Sequence, residues 1–178
     1  MLFDSRRFRD ALGQFPTGIV VVTADAPSGE RIGMTVSSFN SVSLDPPLVL
    51  FSVLRRANSF AAWQGVTRYA INVLSEEQEE LSNRFARAMG DKWVGLPPLR
   101  GEAGLPILPN TLATFECEAF ARHEGGDHEI FVGRVLAVRD NVAKRGRPLV
   151  FFDGRYRRVA QSDGGHVAPD EGVFLHGW

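Results

Sequence analysis

Apolar positions in this chain fall mostly in short β-rich runs or in alternation, and only two stretches repeat at helical spacing. Gly18 to Ala24 (Gly-Ile-Val-Val-Val-Thr-Ala) predicts a first strand. Pro27-Ser28-Gly29-Glu30 is a hairpin-turn signal, and Arg31 to Phe39 returns as a second strand. Leu48 to Leu54, preceded by Pro46-Pro47, is a third, and Arg68 to Leu74 a fourth. In Thr111 to Arg122, Phe115, Cys117 and Ala119 alternate with Glu116 and Glu118, which predicts one buried and one wet face. Glu124-Gly125-Gly126-Asp127 reads as a turn and Ile130 to Arg139 as the returning strand. Leu149 to Phe152 and Arg155 to Val159 flank Asp153-Gly154, a hairpin dipeptide.

The helical stretches are short. Residues 5 to 13 predict an amphipathic helix with Ser5 as cap, Phe8 and Leu12 on one face and Gly13 at the end. Ser75 to Met89 predicts a longer one. Ser75 and Gln78 form a capping-box pattern, glutamates crowd the first turn, and Leu81, Phe85 and Met89 make one stripe. Asp91 to Asn110, rich in Pro and Gly, reads as an ordered surface connection. Many strands, few helices and regular turns predict a closed or nearly closed β-barrel with short helices packed outside. No βαβ alternation is visible, and neither GxGxxG nor GxxxxGK[ST] occurs, so a nucleotide must be held by another device.

Bulk properties narrow the class. The 178 residues, 44% of them hydrophobic, suit one domain with a real core. We expect it to span residues 1–161, followed by a weakly patterned tail, 162–178, that holds His166 and His176 in solvent. Twenty Lys and Arg against 21 Asp and Glu give no long-range pull toward nucleic acid or an anionic membrane. A single cysteine, Cys117, excludes an intramolecular disulfide, and its strand position reads as an inert core thiol. With no signal-peptide pattern at Met1 to Arg7 and no membrane-length apolar run, the expected location is the cytoplasm.

Three segments carry candidate chemistry. Gly33 to Pro47 collects hydroxyl side chains (Thr35, Ser37, Ser38, Ser41, Ser43) around Val36 and Val42. Small hydroxyl residues let a flat ligand approach the backbone and leave N–H groups free for ring acceptors; a solvent-facing strand end fits the same composition. Arg55-Arg56-Ala57-Asn58-Ser59 precedes the helical pattern Phe60-Ala61-Ala62-Trp63, so Asn58 or Ser59 can cap a helix whose N-terminus, flanked by arginines, suits a phosphate. A capped helix after a solvated basic turn is the simpler alternative. Gly126-Asp127-His128 lies at a strand junction, where it is either a plain turn or a place for Asp127 to orient His128 toward a nicotinamide ribose. His123 and His128 with Glu124 and Asp127 match no metal-ligand spacing, and no GxSxG elbow is present. Trp63 and Trp93 read as packing aromatics.

Taken in order, these segments resemble the flavin reductase-like family of two-component monooxygenase systems. The matching pieces are Phe15-Pro16-Thr17-Gly18, Gly33 to Phe39, Ser41 to Leu48, Asn58-Ser59, Asn72-Val73-Leu74, Phe85-Ala86 and Gly126-Asp127-His128. Ile130 to Val135, Pro148 to Phe152 and Gly154-Arg155-Tyr156 complete the set. The resemblance implies a mainly β, split β-barrel of Greek-key type, working as a homodimer. It implies that Thr35 to Ser43 line the flavin, and that Asn58-Ser59, beside Arg55, serve its phosphate. Asn72, Phe85, Phe152 and Tyr156 are expected in the same cofactor site. Gly126-Asp127-His128 would serve the nicotinamide nucleotide, with His128 as the catalytic candidate. The implied activity is reduction of FMN or FAD by NADH or NADPH, supplying a flavin-dependent oxygenase partner. A flavin-binding electron-transfer module, or a flavin-mediated reductase of another acceptor, remains the alternative.

Overall fold

The computed structural model describes residues 4–144 and 147–160. In chain order the elements are α1 (Ser5–Leu12), β1 (Thr17–Gly18), β2 (Val20–Asp25), β3 (Arg31–Val36), β4 (Asn40–Leu44) and β5 (Pro47–Leu54). They continue with α2 (Phe60–Gln64), β6 (Arg68–Val73), α3 (Glu79–Ala86), β7 (Ala113–Gly125), β8 (His128–Asp140), β9 (Leu149–Phe152) and β10 (Arg155–Arg158). The tail 162–178, with His166 and His176, lies outside the described residues.

Seven strands form one antiparallel sheet in the order β3-β2-β6-β7-β8-β5-β4, and β1, β9 and β10 form a second, small one. The large sheet curls. Val20, Val22 and Ala24 of β2 share one core with Val49, Phe51 and Val53 of β5, although three strands separate the two in the sheet. Phe51 is its centre, stacked on Phe131 at 5.1 Å and meeting Tyr69 and Trp63 edge-on at 5.1 and 6.1 Å. The barrel predicted from the strand pattern is therefore present, split along the line where β3 and β5 approach without pairing.

β2 is buried on both faces, which explains its unbroken apolar run. Ile19 and Val21 face away from the barrel into a second core with Leu74, Phe85, Trp93, Leu108 and Leu149. Thr23 shares that outer side and is fully satisfied. Its hydroxyl donates to Pro106 O (2.5 Å) and accepts from Asn72 Nδ2 (3.0 Å). Asn72 Oδ1 in turn accepts from Leu108 N (3.0 Å), so the connection 91–110 is tied to the sheet by polar bonds as well as by packing.

Several expectations are corrected. Asp4, not Ser5, caps α1, accepting from Arg6 N and Arg7 N. The Ser75–Met89 helix shrinks to α3. Gln78 Oε1 accepts from Ser75 N (3.0 Å) and Gln78 N bonds Ser75 O, so residues 75–78 form a turn that precedes the helix. At the other end Arg87 turns extended, leaving Met89 80% exposed instead of on a buried stripe. The second strand stops at Val36, and a separate strand, β4, begins at Asn40. The alternation along β7 holds through Cys117, opposite a bulge at Leu136 of β8, and breaks at the bulge between Ala119 and Ala121. The face that carries Glu116 is not wet, because residues 101–105 cover it: Glu116 is buried, accepting from Ala103 N (3.0 Å) and Leu105 N (3.2 Å), while Ala119 is exposed.

α3 docks on β3 at one glycine. A Cβ at Gly33 would lie 2.6 Å from Phe85 Cε1 and 3.3 Å from Val22 O, so the ring sits where any side chain would stand. The outward carbonyls of β3 have no strand partner. Trp93 Nε1 donates to Arg31 O (2.9 Å) and Lys92 Nζ to Gly33 O (3.0 Å), closing that edge. Replacing Gly33 by Ala is expected to overpack this contact at a cost of about 1–3 kcal/mol. Thermal unfolding should therefore fall by several degrees; an unchanged Tm would show that Phe85 moves freely.

Candidate active site

The split in the barrel opens into a cavity of about 460 Å³. One wall is the end of β3 and its continuation, Met34 to Ser38; the other is Ser52 to Leu54 of β5. β4 pairs with β5 only as far as Leu50, so it leaves this part of β5 uncovered. Ser38 spans the gap instead, its Oγ accepting from Ser52 N (2.9 Å). The floor is Phe85, and the rim is Arg87 and Ala88 from the end of α3 together with Ala57, Asn58 and Ser59.

Charge at the cavity is one-sided. Arg56, Arg87 and Lys92 line it with His128, and no carboxylate does. Lys92 Nζ is held by Gly33 O and Phe85 O, both at 3.0 Å, and burial pulls its pKa below the ordinary lysine value. An acid-free cavity with three basic side chains favours an anionic ligand.

His128 reaches the cavity from the tip of the β7–β8 hairpin. The tip is a tight turn with Gly126 at φ 69°, and Gly125 pairs with His128 across it. Asp127 Oδ1 lies 2.7 Å from His128 Nδ1. With that nitrogen donating, Nε2 of a neutral ring is an acceptor. The hydrogen bond from His128 is the chief reason that Asp127 titrates below the ordinary carboxylate value. Arg55 fixes the tip, donating from its backbone N to Asp127 O (2.9 Å) and from Nε to His128 O (3.3 Å). Its guanidinium also lies near Glu124 (3.6 Å) and Glu129 (3.8 Å).

The structure thus gathers Thr35, Val36, Ser37, Ser38, Asn58, Ser59, Phe85 and His128 around one cavity. It separates others from it. Arg55 turns to the hairpin and its neighbour Arg56 lines the cavity instead. Asn72 is fully buried and occupied with Thr23, Val21 O and Leu108 N. Ser41, Val42 and Ser43 lie on β4, outside the lining. Phe152 and Tyr156 belong to the small sheet, where the Tyr156 hydroxyl meets Ser82 Oγ (2.8 Å) and Asn83 Oδ1 (3.2 Å). Gly126 and Asp127 serve His128 from behind. Ser59 makes no capping hydrogen bond, and α2 is only five residues long, so the helix-terminus argument for a phosphate fails. Arg56, Arg87 and Lys92 supply the positive charge; the sequence pattern puts Arg87 inside the Ser75–Met89 helix and Lys92 in a surface connection, so neither pointed to a site.

A barrel split along one seam, with an anion-ready cavity in the split, defines a split-barrel nucleotide-binding protein. Residues 12–160 match the flavin reductase like domain, and the chain belongs to that family. It is 48% identical over 160 residues to FMN reductase (NADH) SmoA of Agrobacterium fabrum, covering 89% of this chain and 88% of that protein. The nitrilotriacetate monooxygenase component B homolog of Mycobacterium thermoresistibile superposes with a TM-score of 0.86 at 34% identity, covering 97% of each chain. Streptomyces globisporus NADH:FAD oxidoreductase SgcE6 superposes with a TM-score of 0.82 at 36% identity, covering 92% of this chain and 99% of that one.

Cys117 stands apart from this chemistry. It is fully buried on the barrel interior, and burial pushes its thiol up to about 12. In native protein near neutral pH it should resist a chromogenic disulfide reagent and react fully once denatured. Rapid native labelling would refute the packing role.

Proposed function

We propose that this chain is an NAD(P)H:flavin oxidoreductase that reduces FMN or FAD and supplies the reduced flavin to a monooxygenase partner. The observation that carries the reading is the acid-free basic cavity in the barrel seam. A flavin nucleotide presents a flat ring edged with acceptors and an anionic phosphate. Hydroxyls and strand-end backbone at Ser37 and Ser38 suit the ring edge, and Arg56, Arg87 and Lys92 suit the phosphate. The residues present therefore fit the group.

The nicotinamide supplies a hydride and the flavin ring receives it, so the protein needs to hold two planes in contact and needs no strong acid or base. In this reading Phe85 and the β3 backbone form the floor of the slot. The basic side chains anchor the phosphate, and backbone N–H groups at Ser37 and Ser38 would stabilise negative charge that develops on the ring. His128, held by Asp127 and by the Arg55 staple, stands at the mouth and orients the nicotinamide nucleotide. Asn58 and Ser59, whose side chains make no hydrogen bond among the described residues, are free to bind phosphate oxygens.

The partner role is supported by the name of the related monooxygenase component. A homodimer is supported by exposed Phe120, Leu136 and Val138 on neighbouring strands. No described helix is long and apolar enough to cross a membrane. Together with the single cysteine, that supports a cytoplasmic location.

Purified protein should consume reduced nicotinamide at a rate that scales with added flavin. Bound flavin without turnover would support an electron-transfer module instead. The His128→Ala variant should raise the KM for the nicotinamide nucleotide about tenfold while flavin binding stays nearly intact. Equal loss of both would reject the role. The Arg56→Ala and Ser59→Ala variants should each weaken FMN binding, by about tenfold for the arginine, and weaken riboflavin binding much less. Equal loss for the two flavins would remove these residues from the phosphate end.

A further inference from the structure

Behind His128 stands an ion network that does not line the cavity. Glu124 of β7 and Glu129 of β8 lie directly opposite each other in the ladder. Like charges so paired destabilise a sheet unless a cation lies between them. Arg55 supplies it, with Nη2 3.6 Å from Glu124 and 3.8 Å from Glu129. The two carboxylates are unequal partners. The Glu124 side chain is 91% exposed, so water and salt screen its pull. The Glu129 side chain is only 14% exposed. It stands two residues before Phe131, on the strand face that turns into the barrel core. Its charge acts through less water and therefore sets the direction of the Arg55 guanidinium.

Glu129 meets a second cation. Its Oε1 lies 3.7 Å from Nη1 of Arg122. Arg122 has little freedom. Its guanidinium lies over the Phe131 ring at 4.4 Å. It donates to Gln64 O and Val66 O, both at 2.7 Å, and to Trp63 O at 3.3 Å, where α2 ends. Arg122 is thus an anchor built on α2 and the barrel core, and Glu129 ties Arg55 to it. Arg55 in turn holds two backbone oxygens at the hairpin tip, Asp127 O and His128 O. The line ends at the imidazole in the cavity. Arg122, Glu129 and Arg55 themselves lie outside the lining.

We propose that Glu129 is a positioning residue that fixes His128 by holding Arg55 against the Arg122 anchor. The proposal rests on the flavin reductase reading above, in which His128 orients the nicotinamide nucleotide. Without the carboxylate, Arg55 turns to Glu124 and solvent, and the hairpin tip loses a fixed donor. The imidazole then spreads over several directions, and the nicotinamide is held less often against the flavin. Glu129 pairs with Arg55 and Arg122, not with the side chains that suit the flavin, Ser37, Ser38, Arg56, Arg87 and Lys92. Its loss therefore falls on the nicotinamide and spares flavin binding.

E129Q keeps the shape of the side chain and removes its charge, and E124Q does the same to the exposed partner. The full chain, these two variants, H128A, R55K and H128A/E129Q are compared by KM and kcat for NADH with FMN as acceptor, and by Kd for FMN. E129Q should raise the KM for NADH about fivefold, with kcat and the FMN Kd within about twofold of the parent. E124Q should stay within about twofold throughout. H128A/E129Q should match H128A, since a residue that acts only through His128 adds nothing once the imidazole is gone. A merely structural defect would add to that of H128A and weaken FMN with it. R55K keeps the charge and lacks the Nε–H donor. It should repeat the E129Q pattern, and it carries the test if E129Q fails to fold. An unchanged KM in E129Q, or in R55K where that variant stands in, overturns the proposal. So does an equal rise in E124Q, or a rise that multiplies that of H128A. Failure of the parent chain to oxidise NADH with any flavin is a separate outcome and overturns the reductase reading itself.

Discussion

The seat of Phe85 on Gly33 is the contact on which the site depends. A ring that occupies the volume of a missing side chain brings α3 directly against β3. The segment after the helix is then held along the same strand edge by Lys92 and Trp93. One packed pair therefore sets the floor of the cavity, delivers two of its basic residues and closes an edge that would otherwise carry unpaired carbonyls. Lys92 serves structure and site together, and the amine is partly desolvated as a result.

Strand identity and turn chemistry were legible because they are local. Asp153 and Gly154 both have positive φ, 49° and 70°, as a two-residue hairpin of that composition requires. The hydroxyl-rich stretch after Gly33 does reach the cavity, though only as far as Ser38. What sequence could not give was the break at Phe39, since the chain changes from one sheet edge to the other there and the composition does not change. Glu116 was misread for a similar reason. The alternation places its side chain on the outer face correctly, but a connection with no periodicity covers that face and supplies the donors that stabilise its carboxylate.

The candidate site divides the same way. His128 and its aspartate are neighbours in sequence, so their pairing was visible. Arg55 and Arg56 are also neighbours, but only the fold decides that the first staples the hairpin and the second faces the cavity. Asn72 shows the opposite case: a polar residue in a recognisable motif whose amide is fully occupied in tying a connection to the sheet. Family resemblance located the motif, and burial and hydrogen bonding decide what the residue does within this chain.

The seam also has a kinetic meaning. A ligand enclosed by a complete barrel must wait for strands to separate, and its residence time then inherits the slow opening of the sheet. Here the strands that frame the cavity are joined across the gap by Ser38, a side chain, and not by a ladder of backbone bonds. Ligand can exit sideways while the sheet stays intact. How long it stays is then a matter of its own contacts, so a carrier that must hand over its cargo quickly can remain mechanically rigid.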